Sequence, residues 1–190
     1  MQHIYQNIDG WFSFAGLYSD IVNKAEDGAR FVEVGTWLGR SASYMAVEII
    51  NSGKNIKFDC VDTWKGSLNE DLHQNNPLVK EDRLYDEFLK NIDPVRSVVN
   101  PVRLQSVEAA NLYEDNSLDF VFIDASHDYE NVKNDIAAWY PKIKNGGILA
   151  GHDYPWDGVK RAADEFSNAN SINLQITQEC WVATIFVDPV

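Results

Sequence analysis

Between positions 11 and 24 the apolar residues Trp11, Phe14, Leu17, Tyr18, Ile21 and Val22 recur at three- and four-residue spacings, which predicts one helix with a single apolar face. The run over 30–34 is short and almost continuously apolar, breaks at Gly35, and gives way to helical periodicity over 41–50. That reads as strand, turn, helix. The alternation then repeats, with strands expected over 56–61, 102–104, 118–123 and 148–151 and helices over 81–92, 107–112, 129–143 and 159–167. The helix over 129–143 is expected to close at Gly146 and Gly147, where glycine supplies the positive φ of a helix end.

Near-continuous apolar strands alternating with amphipathic helices belong to a parallel sheet covered on both faces, because crossovers between parallel strands are made by helices. The last two apolar runs, 172–176 and 181–187, are joined too tightly for a crossover and predict an antiparallel hairpin. The expected fold is α/β and doubly wound: a mostly parallel seven-stranded sheet with a C-terminal antiparallel hairpin. One domain is expected over 1–190, with 1–28 as a helical cover and 29–190 as the core. The stretch 63–80 lacks apolar periodicity and reads as an extended loop, a candidate lid or binding segment.

Charge narrows the partners. A net charge of −13, from 16 basic and 29 acidic residues, disfavours a nucleic-acid backbone and leaves a small molecule or a divalent cation as the expected ligand. The two cysteines, Cys60 and Cys180, are too far apart in sequence for a metal loop or redox pair and read as buried free thiols. The N-terminus has no basic segment followed by an apolar run, and no stretch approaches a membrane helix, so a cytoplasmic protein without membrane contact is expected. The aromatic N-terminal helix is a candidate homodimer surface.

Candidate chemistry gathers at predicted strand ends, the rim where open α/β sheets bind ligands. After the first strand, Gly35 permits a tight turn, the following helix start offers free N–H groups to a carboxylate, and Glu33 is placed to attract an ammonium group. Together these fit an amino-acid-like ligand. After the second strand, Asp62 is placed to accept bonds from both hydroxyls of a ribose, with Trp64 beside the base. The fourth and fifth strands end in Asp124 and in His152–Asp153, a set that can hold one divalent cation, since carboxylates suit Mg²⁺ or Mn²⁺ and an imidazole admits softer metals.

On residues 31–43, 61–64, 118–129 and 146–154, the chain resembles the class I S-adenosylmethionine-dependent methyltransferases, and among them the small-molecule O-methyltransferases that act on macrolide sugars and catechols. The resemblance spans 31–187. It implies methyl transfer to an oxygen of a small molecule, with Glu33, Gly35, Thr36, Trp37, Gly39 and Ser41 around the methionine part of the cofactor, and Asp62, Thr63, Trp64 and Ser106 around its adenosine. Ser106 also reads as a helix cap. The resemblance further implies that Asp124 positions the cofactor or a metal, and that His127, where relatives place a basic residue beside the acceptor hydroxyl, is the base. His152 stands where those relatives usually have a carboxylate, which leaves open whether a cation is held and which one. The segment 63–80, together with Trp11 and Phe12, is expected to line the acceptor, while His3 and His73 receive no role.

Two other classes share parts of this pattern. An NAD-binding oxidoreductase also uses a glycine turn and an acid after the second strand, but Gly35 and Gly39 do not make its G-x-G-x-x-G spacing. A divergent member of the fold, non-catalytic or hydroxylase-like, would keep the cofactor pocket and lack the substrate-side base or metal.

Overall fold

The computed structural model describes residues 1–67 and 70–186. Leu68 and Asn69 of the predicted loop, and Val187 at the end of the predicted hairpin, lie outside the described residues. Seven strands, β1 (Arg30–Val34), β2 (Lys57–Asp62), β3 (Val99–Arg103), β4 (Leu118–Ile123), β5 (Ile143–Gly151), β6 (Gln175–Thr177) and β7 (Cys180–Thr184), form one sheet in the order β3-β2-β1-β4-β5-β7-β6. β1 to β5 run parallel, and β7 pairs antiparallel with both β5 and β6. The order reverses between β1 and β4, which places the ligand-binding crevice at their carboxyl ends. The antiparallel β7 separates this sheet from the all-parallel dinucleotide-binding arrangement.

Alternate side chains of the buried strands feed two cores. Phe31, Phe58 and Phe122 pack beneath α1 (Ala15–Lys24), α2 (Arg40–Ser52) and α5 (Leu84–Ile92). Val32, Val121 and Leu149 pack beneath α6 (Ser106–Ala110), α7 (Tyr129–Trp139) and α8 (Asp157–Asn170). Burial of both strand faces explains why the strands read as continuous apolar runs. Cys60 in β2 and Cys180 in β7 are free thiols, one in each flank of the sheet, and both are fully buried. No helix among the described residues is long and apolar enough to cross a membrane.

Several predicted elements shift. The first helix starts at Ala15, and Trp11, at the spacing that would continue its apolar face, is exposed. The helix expected to reach 143 ends at Trp139, passes through one 3₁₀ turn and becomes β5 at Ile143. Gly146 does take a positive φ, of 80°, but inside a register shift of β5 against β4 rather than at a helix end. The segment 63–80 is not wholly irregular: it carries two single-turn helices, α3 (Asp71–Gln74) and α4 (Pro77–Lys80).

Candidate functional site

Two cavities open at the carboxyl ends of the central strands. One, of about 450 Å³, lies over β2, β3 and β4 and is lined by Asp62, Thr63, Gln105, Ser106, Ser126 and Asp135 among others. The second, of about 400 Å³, lies between the N-terminal segment, the turn after β1 and the ends of β4 and β5. Gly35, Trp37, His73, Asp124 and Ala125 line both, so the cavities meet where β1 and β4 end.

The turn after β1 is shaped by its glycine. Gly35 has φ +87°, and a Cβ there would overlap the carbonyl oxygen of Asp124 and come within 2.7 Å of Ala125 Cα. The backbones of the two strand ends therefore touch, which brings Asp124 to the turn. Trp37 has a positive φ of 49° and stacks on His73 with ring centroids 4.4 Å apart, forming a shared wall between the cavities. Thr36 is 2 % exposed and its hydroxyl lacks a partner among the described residues, as does the buried Nε of Arg40, whose Nη1 donates to the Gly10 carbonyl at 2.9 Å. The N-cap of α2 beside them is Gly39, which has no side chain to cap the helix start. A buried hydroxyl, a guanidinium N–H and a free helix start converge on the second cavity, a donor set suited to a carboxylate.

Three residues assigned to cofactor contact lie elsewhere. Glu33 is 1 % exposed, and its carboxyl accepts from Ser41 Oγ at 2.7 Å and from the Tyr18 hydroxyl at 2.8 Å, so it presents nothing to a ligand ammonium. Trp64 is fully buried, its indole N–H donating to the Trp37 carbonyl at 2.9 Å and its ring packed on Tyr85 and Phe88. It is a core side chain and cannot flank a base. Gly39 makes room for α5, since a Cβ there would press on Ile92 and Phe88 at 3.0 Å.

Asp62 is at the first cavity but heavily committed. Its Oδ2 accepts from the backbone N–H of Thr36 and of Trp37, each at 2.9 Å, and its Oδ1 from that of Trp64 at 2.7 Å. The Thr63 backbone N–H bonds this carboxyl as well, so of the about four acceptor positions of a carboxylate little is left for a ligand, against the two hydroxyl contacts expected. Ser106 also lines this cavity, but its cap reading fails: Gln105 is the N-cap of α6 and makes no side-chain cap bond, while Ser106 Oγ accepts from the Trp139 indole at 2.9 Å. Asp157 stands in the first turn of α8, where its charge faces the helix dipole.

The far side of the second cavity carries a chain of acids and imidazoles. Ser13 Oγ lies 3.0 Å from His152 Nε2, and His152 Nδ1 lies 3.1 Å from Asp153 Oδ2 and 3.6 Å from Asp124 Oδ1. Asp153 Oδ2 also meets His127 Nε2 at 2.9 Å, and His127 Nδ1 lies 2.8 Å from Glu70 Oε1. Glu70 Oε2 in turn lies 3.3 Å from His73 Nδ1. Against partial burial, Asp124 and Asp153 push His152 up to about 10 and Asp153 raises His127, while the two imidazoles hold Asp153 far below the usual carboxylate range. His73 goes the other way: burial lowers it. One ligand atom from each of Asp124, His152 and Asp153 lies within 4.8 Å of the others. Two carboxylates and one imidazole at that spacing fit a divalent cation, Mn²⁺ better than Mg²⁺ because of the nitrogen, provided His152 gives up its proton.

Glu70 and His73 are parts of this site that the sequence reading left unassigned. The available signal was their three-residue spacing at the start of a helical turn inside the long loop. Trp11 and Phe12, by contrast, do line the second cavity, as do Leu72 and His73 of the segment 63–80.

Buried Glu33 makes a prediction about pH. Burial pushes its carboxyl from 4.5 to about 8, against the hydrogen bonds from Ser41 and Tyr18. The folded chain thus keeps a proton that the unfolded chain has already lost, and stability should fall as pH rises through that window. Thermal unfolding across it should show a shallower decline for Glu33→Gln than for the wild type; identical slopes would remove Glu33 as the cause.

Comparison with known proteins fits this geometry. A methyltransferase domain model matches residues 32–154. A Sinorhizobium fredii protein, y4gI, is 25 % identical over 124 residues, a match covering 65 % of this chain and 13 % of that protein's length. Among solved structures, the O-methyltransferase NovP superimposes with a TM-score of 0.67 at 17 % identity, over 91 % of this chain and 79 % of that one. A S-adenosylmethionine-dependent O-methyltransferase from Thermotoga maritima superimposes with a TM-score of 0.66 at 11 % identity, over 96 % and 68 %.

Proposed function

We propose that the chain, which belongs to a family of methyltransferase domains, uses S-adenosylmethionine and transfers the cofactor's methyl group to an oxygen of a small-molecule acceptor. The observation that carries this reading is the meeting of two cavities at Gly35, Trp37, His73, Asp124 and Ala125. A nucleoside in the first and an acceptor in the second would face each other across that junction. Asp62, Thr63 and Ser106 line the nucleoside side; Thr36, Arg40 and the start of α2 offer the donors for the methionine carboxylate.

When bound, the cofactor supplies a sulfonium methyl that is already electrophilic, so the chain's tasks are alignment, exclusion of water and removal of the acceptor proton. His127 is the proposed base. Its Nε2 pairs with Asp153, whereas its Nδ1, although 2.8 Å from Glu70 Oε1, has no hydrogen-bond partner among the described residues and is the nitrogen that would take the acceptor's proton; the two carboxylates raise the affinity of the ring for a proton and stabilise the imidazolium so formed. Asp124, His152 and Asp153 would hold a divalent cation, which would contribute Lewis-acid polarisation of the acceptor oxygen.

Since the base must first be neutral, kcat should rise with pH through a midpoint above the ordinary 6.5 of histidine. His127→Ala should lower kcat by ~10²–10⁴-fold while leaving cofactor affinity nearly unchanged. Unaltered transfer in that variant would remove His127 as the base. The reading as a whole is tested by calorimetric titration with S-adenosylmethionine and, separately, with NAD, each with and without Mn²⁺ or Mg²⁺. Binding of the first and not the second supports it, and a preference for NAD overturns it.

A further inference from the structure

Asp135 is an acid that neither the fold nor the proposed reaction explains. It sits in the second turn of α7, is 5 % exposed, and lines the first cavity beside Ser106, the residue that opens α6. Burial pushes its carboxyl up to about 6, against the hydrogen bond it receives from Ser106. The Ser106 oxygen accepts the Trp139 indole N–H at 2.9 Å, and Trp139 is itself fully buried. A chain from indole to hydroxyl to carboxyl therefore fixes Asp135 at the cavity wall and commits the hydroxyl proton to one carboxyl oxygen, so acceptor capacity remains for a donor from the cavity. Asp62, the candidate ribose partner, lines the same cavity from the end of β2, while Asp135 and Ser106 approach from α7 and α6. A nucleoside whose ribose met Asp62 would have its base directed towards the part of the cavity that Ser106 and Asp135 line.

We propose that Asp135 determines base specificity in the first cavity by accepting a hydrogen bond from the exocyclic amine of adenine. The proposal rests on the cofactor assignment above. It makes Asp135 select against a purine with a carbonyl at that position, because two acceptors would then face each other in a buried site.

The test is calorimetric binding of S-adenosylhomocysteine and S-inosylhomocysteine, which differ at that one position of the base and at its neighbouring ring proton. The wild type should bind the adenosyl compound ~10- to 100-fold more tightly. Asp135→Asn, which offers the carbonyl a donor, should shrink that ratio towards one or invert it. Ser106→Ala, which frees the carboxyl but keeps it, should retain the preference. A purely structural Asp135 would lower thermal stability in the variants without moving the ratio, and an unmoved ratio overturns the proposal. Equal affinity of the wild type for the two compounds overturns it without any variant. Binding of neither compound to the wild type would instead bring down the cofactor assignment, and this inference with it.

Discussion

Gly35→Ala is expected to destabilise the protein by about 3–5 kcal/mol and to abolish cofactor binding. Two costs add at this position. The backbone there has φ +87°, in the left-handed region that a residue with a Cβ enters only with strain, and the new methyl would overlap the Asp124 carbonyl. Relief would require the ends of β1 and β4 to part, yet Gly35 N–H is bonded to the Val61 carbonyl at 2.8 Å and Asp124 N–H to the Val34 carbonyl at 2.8 Å. Moving either end also displaces Asp124, which lines both cavities. Thermal unfolding and calorimetric titration with S-adenosylmethionine would read the two effects separately. A variant with wild-type stability would show that the turn can relax, and one that still binds would show that the junction is not where the cofactor lies.

Asp62→Ala should be nearly as damaging, for a different reason. The carboxylate is the acceptor for four backbone N–H groups, two in the turn after β1 and two after β2. Its removal strands them and should cost about 3 kcal/mol or more, with loss of cofactor affinity because the turn that lines both cavities is no longer held to β2. Asp62→Asn keeps one acceptor oxygen and should recover about half of that stability. Chemical denaturation of the two variants beside calorimetry would separate the roles. If Asp62→Ala weakened binding but left stability intact, the contact with a ribose would be the dominant role and the backbone bonds incidental.

The double duty of Asp62 illustrates how far the sequence could be read. Period and burial were legible because β1, β2 and β4 are covered on both faces, so these strands, their ends and the C-terminal hairpin followed from apolar runs, whereas the order of the strands across the sheet did not. Asp124, His127, His152 and Asp153 could be grouped because each ends or follows a central strand. Where a side chain points was not legible. Glu33 and Trp64 are adjacent to a ligand-binding rim in sequence, but the pleat turns Glu33 into the core shared with Tyr18, and a positive φ of 53° at Trp64 carries its ring down onto α5. The end of α7 was missed because the apolar residues that continue its period, Tyr140 and Ile143, serve a 3₁₀ turn and a strand. Glu70 and His73 were missed because a polar loop has no period to read; only the packing of α3 against Trp37 brings them to the site.

The two cysteines carry a consequence of their placement. Burial pushes both thiols up, so neither is a ready thiolate, and neither offers surface to an alkylating reagent. Reaction under native conditions can proceed only through openings of the chain around each one. Cys60 lies in β2, on the flank that carries Asp62, and Cys180 lies in β7, beyond β5 on the other flank. The rates at which the two become labelled are thus separate clocks for the breathing of the two flanks, and a ligand that tightens only the first would slow one clock and leave the other running.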